Sequence, residues 1–124
     1  MKSHKDLLVY QKSLDLVTDI YTITNLFPNA EQFGLTNQLR RASVSVPSNI
    51  AEGAGRKSRK EFIRFLYIAL GSMNEIETQI EIAKRLNYIS DLEDFEKQFL
   101  HIKRMLLKLI ESLNNERGSK QVNE

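Results

Sequence analysis

The sequence predicts an all-α protein, an antiparallel up-down-up-down four-helix bundle. Apolar residues recur at steps of three and four along four separate stretches, the links between those stretches are short, and no stretch alternates with the period of a strand. At 124 residues the chain forms one domain, large enough to close a single core. Hydrophobic residues at 41% and charged residues at 27% are those of a soluble globular protein. The bundle is expected over residues 1–115. The tail, 116–124, is expected to be disordered, because NNERGSKQVNE from Asn114 onward has almost no apolar residue to bury.

Helix one is expected from Leu7 to Leu26, with Asp6 as N-cap. Its main stripe reads Leu7, Tyr10, Leu14, Val17, Tyr21 and Thr24, widened by Leu16, Ile20, Ile23 and Phe27. Phe27-Pro28-Asn29 stops it, since proline disfavours helical geometry in the residue before it. Ala30 to Gly34 reads as a helical turn of its own. Helix two carries Leu35, Leu39, Ala42, Val46 and Ile50 on one face. Pro47 interrupts that face and has no N–H for the Ser43 carbonyl, so a bend is expected there, with Ser43, Ser45 and Ser48 placed to bond the exposed backbone. Gly53 and Gly55 are expected to end the helix in the left-handed conformation.

Ser58-Arg59-Lys60-Glu61 has the pattern of a capping box and opens helix three. Phe62, Leu66, Ala69, Met73, Ile76, Ile80 and Ala83 form its main face, and Ile63, Phe65, Tyr67, Ile68 and Leu70 fill the gaps. A helix apolar all round is buried all round, so self-association is expected through Ile63, Tyr67, Ile68, Leu70 and Gly71. Gly71 and Ser72 are expected at a close approach of backbones. The helix should end near Leu86-Asn87, with asparagine at C′. Ser90-Asp91-Leu92-Glu93 is a second capping-box pattern, followed by the seam Leu92, Phe95, Phe99, Ile102, Leu106, Leu109 and Leu113.

Several functions are excluded by what is missing. The chain has no cysteine, which removes disulfides, thiolate metal sites and thiol nucleophiles. The opening MKSHKDLLVYQKSLD has no signal-like apolar region, and no segment is apolar for long enough to span a bilayer, so a soluble cytoplasmic protein with no membrane partner is expected. His4 and His101 lack the Glu-x-x-His spacing of di-iron bundles. The run from Gly53 to Ser58 fails the phosphate-loop pattern, because Arg56 follows the second glycine and no strand precedes it. Glu52 has no histidine or nucleophile beside it, and Asn49 and Glu52 read as cross-bundle hydrogen-bonding residues reaching Arg40, Arg41 or Tyr67. No catalytic, cofactor-binding or metal-ligating residue is nominated, and no enzymatic activity is expected.

Charge is more informative. The net charge is only +2, but antiparallel helices divide it. One end gathers Lys2, Lys5, Arg56, Lys57, Arg59, Lys60, Arg64 and Lys108, and the other Glu31, Glu77, Glu81, Asp91, Glu93, Asp94 and Glu96. Clustered lysine and arginine are the footprint of phosphate-backbone binding, so Arg56, Lys57, Arg59, Lys60 and Arg64, with Lys5 and Lys108, are the candidate nucleic-acid contacts. A solvated helix turn is the plainer reading of the same charges.

The pattern Leu8-Val9-Tyr10-Gln11-Lys12, Phe27-Pro28, Phe33-Gly34-Leu35-Thr36, Gln38-Leu39-Arg40-Arg41-Ala42, Ser45-Val46-Pro47-Ser48-Asn49-Ile50-Ala51-Glu52-Gly53, Phe62, Phe65-Leu66 and Ala69-Leu70-Gly71-Ser72 resembles the four-helix-bundle family of 23S rRNA intervening-sequence proteins. The resemblance covers Leu7 to Leu113, and SVPSNIAEG is its most specific run. Some members are encoded inside insertions in bacterial 23S rRNA genes. A similar protein is the accessory variability factor of diversity-generating retroelements, a barrel-like pentamer whose basic surface engages nucleic acid and a reverse transcriptase. The resemblance implies a homopentamer without enzymatic activity. The functional expectation is therefore a nonenzymatic oligomer that binds RNA or DNA through its basic end, with a protein-interaction scaffold or accessory subunit as the alternative.

Overall fold

The computed structural model describes residues 3–123, leaving out the side chains of Asp6 and of 116 onward. Four helices follow a short 3-10 helix at His4–Asp6: α1 Leu8–Thr24, α2 Leu35–Ala54, α3 Arg59–Arg85 and α4 Glu93–Asn123. Among the described residues there is no strand. The helices run alternately up and down, each packed on the next, and α4 closes the bundle against α1. The expected tail over 116–124 lies outside the residues whose side chains are described.

α2 and α3 bury the faces their spacing dictates. Leu39, Val46 and Ile50 meet Leu66, Met73 and Ile76 in a core that excludes water. α4 adds Phe99, Ile102, Leu106 and Ile110. In α1 the outcome departs from the expected order in part: Thr24 of the expected main stripe is buried and Leu7 and Tyr10 pack against the core. Val9, Leu16, Ile20 and Ile23 are buried, followed by Phe27, whereas Leu14 and Tyr21 of the expected main stripe are exposed. Two stripes at equal spacing compete in this helix, and packing selects the one that carries Leu16, Ile20 and Ile23, with Ser13 and Thr24 buried beside them and bonded to backbone carbonyls of their own helix.

The helix ends confirm some expected caps and correct others. Ser58 Oγ accepts the Glu61 N–H at 3.0 Å, as an N-cap should. Asn87 is the one non-glycine with positive φ, at 61°, among the described residues. It closes α3 in a Schellman motif, with Tyr88 N–H donating to Ala83 O and Asn87 N–H to Lys84 O, each at 3.0 Å. Leu7, not Asp6, holds the N-cap position of α1, in an extended conformation and without a side-chain bond. α1 also stops at Thr24, short of Leu26. α4 starts at Glu93, and Asp91 turns back toward Lys84 at 3.7 Å, so the second capping box does not form.

Gly53 and Gly55 do not take the expected left-handed conformation. No glycine among the described residues has positive φ. Gly53 lies inside α2, where an added Cβ would stand 2.7 Å from Phe65 Cβ and 3.2 Å from the Phe62 carbonyl. Its role is steric, letting α2 and α3 close. Gly71, expected at such an approach, has nothing within 4 Å of the position a Cβ would take.

α2 continues as helix through buried Pro47. Ser43 Oγ donates to the Arg40 carbonyl at 2.8 Å. Asn49 Nδ2 donates to both Ser45 O at 2.8 Å and Ser45 Oγ at 2.9 Å, and Ser72 Oγ of α3 donates to Ser45 Oγ at 2.8 Å. Ser48 stays in solvent.

Candidate nucleic-acid interface

The turn between α2 and α3 brings the first group of cations together. Arg56 follows the C-terminus of α2 and donates to Glu52 at 2.7 Å. Arg64, one turn into α3, donates to Glu61 at 2.9 Å. Phe65 lies between them, with the Arg56 guanidinium 5.1 Å and the Arg64 guanidinium 4.5 Å from its ring centre. The aromatic face and the two carboxylates hold both guanidiniums in place. Arg64 holds the Glu61 carboxyl below its ordinary pKa, and Glu61 in turn raises that of Arg64.

Lys57 and Lys60 are different. Both are exposed, and neither has a hydrogen bond or ion pair among the described residues. Arg59, the first residue of α3, is half-buried. Lys5 sits on the 3-10 helix ahead of α1, which packs on α1 and α2. Gln11 Nε2 donates to the Lys5 carbonyl at 3.3 Å, and His4 packs edge-on against Tyr10 at 4.8 Å between ring centres. These contacts hold Lys5 at the end where α1 begins and α2 finishes. Lys2 lies outside the described residues.

Lys108 does not belong to this group. The Lys84–Glu96 ion pair and the Glu77–Lys103 pair at 3.8 Å fix the antiparallel register of α3 and α4. In that register Lys108 stands level with Ser72, about twelve residues or roughly 18 Å below Lys60 at the helical rise. The sequence order placed it at the basic end because the seam reads to Leu113 and the bundle was expected over residues 1–115; α4 continues to Asn123.

Asn49 and Glu52 make no cross-bundle bond of the expected kind. Asn49 bonds within its own helix, and Glu52 is on the surface with Arg56. Arg40 instead bridges to α1, donating to Thr24 Oγ1 at 2.9 Å and Asn25 Oδ1 at 3.0 Å with its guanidinium over Tyr21. Thr24 on the apolar stripe of α1 and Arg40 early in α2, on either side of one short connection, were the available signal.

The α3 surface divides. Ile63, expected at an interface between copies, is 9% exposed and part of the subunit's own core. It packs inward because it stands three residues before fully buried Leu66, on the bundle side of α3. Tyr67 and Ile68 are 53% and 40% exposed, Leu70 is half-buried and Gly71 is open.

At the opposite end an acidic cleft of about 500 Å³ is lined by Asp19, Asp91, Glu93 and Asp94 over Ile23, Leu92 and Phe95. Burial, with Asp15 nearby, raises the Asp19 pKa. No cluster of histidine and carboxylate suited to a metal occurs among the described residues, and no helix there is long and apolar enough to cross a membrane.

The family model of the 23S rRNA-intervening sequence protein matches residues 5–108. The chain belongs to that family. A crystal structure of a protein of unknown function from the S23 ribosomal protein family of Bacteroides thetaiotaomicron VPI-5482 superposes with a TM-score of 0.76 at 30% identity, covering 83% of this chain and 98% of that one. No curated protein matches the sequence. The matched span takes in all of α1, α2 and α3 and the first half of α4, and with them every residue of the basic turn.

Proposed function

We propose that this intervening-sequence family member is a nonenzymatic, homo-oligomeric protein of the cytoplasm that binds the backbone of RNA or DNA through the α2–α3 turn. The supporting observation is the pairing pattern of the cations. Among the described residues Lys57 and Lys60 have no hydrogen bond or ion pair to give up, whereas Arg56 and Arg64 lie over the Phe65 ring. Binding a phosphate with an unpaired lysine releases counterions without first breaking an ion pair. Phosphate contacts position a protein without reading bases, so weak sequence preference is expected.

Assembly multiplies such a patch. Tyr67, Ile68, Leu70 and Gly71 on α3 are the proposed contacts between copies, and a homopentamer is the specific assembly we propose by family resemblance. A ring with its basic turns aligned binds by avidity, each turn adding to the local field.

A second reading is a protein-interaction scaffold or accessory subunit, favoured by the exposed apolar residues on several helices. A salt titration of binding to single- and double-stranded oligonucleotides separates the two. Affinity that falls steeply with salt and is lost when Arg56, Lys57, Arg59 and Lys60 become alanine supports the first. Affinity undetectable at low salt, with a protein partner retained from nuclease-treated lysate, supports the second.

A further inference from the structure

Among the exposed apolar residues Phe33 stands apart, at 88% of its full exposure. It is held on a braced turn. The 3-10 helix Asn29–Glu31 precedes it, and Gly34 N–H donates to the Glu31 carbonyl at 2.9 Å. The Glu31 carboxylate accepts from Leu35 N–H at 3.1 Å and from Tyr88 Oη at 2.7 Å. An aromatic side chain presented on such a turn loses little freedom on docking, which is how interface anchors gain affinity.

In the opposite layer of the bundle, α3 and α4 leave a groove of about 400 Å³. Its apolar lining is Ile76, Ile80, Phe95, Phe99 and Leu100. The charges on its rim are matched within the chain, Glu77 by Lys103, Glu81 by Arg85, and Lys84 by Glu96. A groove with no uncompensated charge suits an uncharged apolar occupant, and it is roomy enough for one phenyl ring.

The two features lie at one height. Ser45 bonded to Ser72, and Gly53 against Phe62 and Phe65, set the α2–α3 register. That register puts the start of α2, next to Phe33, level with Ile82, within the span of α3 that lines the groove. A tip on the α1–α2 layer and a socket on the α3–α4 layer, at the same height, meet when copies are related by rotation about an axis along the bundle. Such head-to-tail contacts close into a ring when the rotation between copies divides the full turn.

We infer that Phe33 of one copy seats in the α3–α4 groove of the next. The assignment rests on the self-association proposed above and adds the residues that make the contact. The absence of cysteine in the chain gives a clean test. Phe33→Cys and Leu100→Cys variants are co-expressed and oxidised mildly, beside each variant alone, and the mass of the unmodified protein and of Phe33→Asp is measured by sedimentation. A mixed disulfide at least tenfold above that of either variant alone is expected. Phe33→Asp is expected to sediment at a lower mass than the unmodified protein with its helical circular dichroism unchanged. An assembled unmodified protein with no mixed disulfide, and a Phe33→Asp variant of the same mass, overturns the groove assignment and leaves self-association standing. An unmodified protein that sediments as a single subunit at every concentration overturns both.

Discussion

Tyr88 and Glu31, 57 residues apart in the chain, join the two connections at the acidic end through a hydrogen bond of 2.7 Å from the phenol to the carboxylate. The Tyr88 hydroxyl, followed by the Leu35 N–H, holds Glu31 below its ordinary pKa of 4.5. The same bond pushes Tyr88 above its ordinary 10.0. Glu31 with its lowered folded pKa stabilises the fold above 4.5, and that share is lost as pH falls through the lowered value. Tyr88 with its raised folded pKa stabilises below 10.0, and that share is lost as pH rises through the raised value. Tyr88→Phe keeps the ring against Phe27, 5.5 Å between centres, and removes only the bond. Its melting temperature is expected to fall by a few degrees at neutral pH, with the gap to the unmodified protein closing in acid and in strong alkali. Melting curves by circular dichroism across pH check this, and a gap that does not change with pH counts against it.

Gly53→Ala is expected to destabilise the bundle by about 1–3 kcal/mol, because the new Cβ meets Phe65 Cβ and the Phe62 carbonyl, neither of which is the free end of a flexible side chain. Gly71→Ala is expected to do the opposite within one subunit. Its Cβ would point into open space, and alanine favours a helix interior by about 1 kcal/mol over glycine. Urea unfolding of the two variants, at a concentration where the subunit is alone, gives the two signs directly.

These two glycines also mark what could be read from the chain. Helix existence and the buried faces of α2 and α3 were legible, because Leu39, Val46, Ile50 and Leu66, Met73, Ile76 each follow one unambiguous stripe. The face of α1 was not, since two stripes of equal period run along it and only the three-dimensional packing selects Leu16 and Ile20 over Leu14 and Tyr21. A glycine signals either a special φ or a close neighbour, and sequence alone does not separate the two at Gly53. Of the candidate interface, the cluster Arg56 to Arg64 was legible as a turn rich in cations. That Arg56 and Arg64 are paired while Lys57 and Lys60 are not depends on side-chain directions, and the displacement of Lys108 depends on helix register.

If unpaired lysines carry phosphate binding, the double change Lys57→Ala and Lys60→Ala lowers affinity and reduces the slope of log K against log salt by about 2, close to one phosphate per lysine. Lys108→Ala leaves both affinity and slope unchanged, because Lys108 stands far down the bundle from the α2–α3 turn. Fluorescence anisotropy with a labelled oligonucleotide at several salt concentrations measures both. An equal loss from Lys108→Ala would show that the flank of the bundle, and not its tip, meets the nucleic acid.

Ser45 concentrates three hydrogen bonds on one residue beside Pro47, two from Asn49 and one from Ser72 across the helix interface. Ser45→Ala removes the hydroxyl acceptor of both donors, and buried Ser72 is left with no partner, so a loss of about 1–2 kcal/mol is expected. Ser72→Ala removes one donor and leaves the Asn49 bonds intact, and its expected loss is smaller, about 0.5–1.5 kcal/mol. Because both substitutions delete the same bond, the double variant is expected to lose less than the two single losses together, by about 1 kcal/mol. A double-mutant cycle from urea unfolding measures that coupling. Strictly additive losses would mean that the hydroxyl pair contributes nothing to closing α2 on α3, and that the contact between Gly53 and the Phe62–Phe65 turn alone sets their distance.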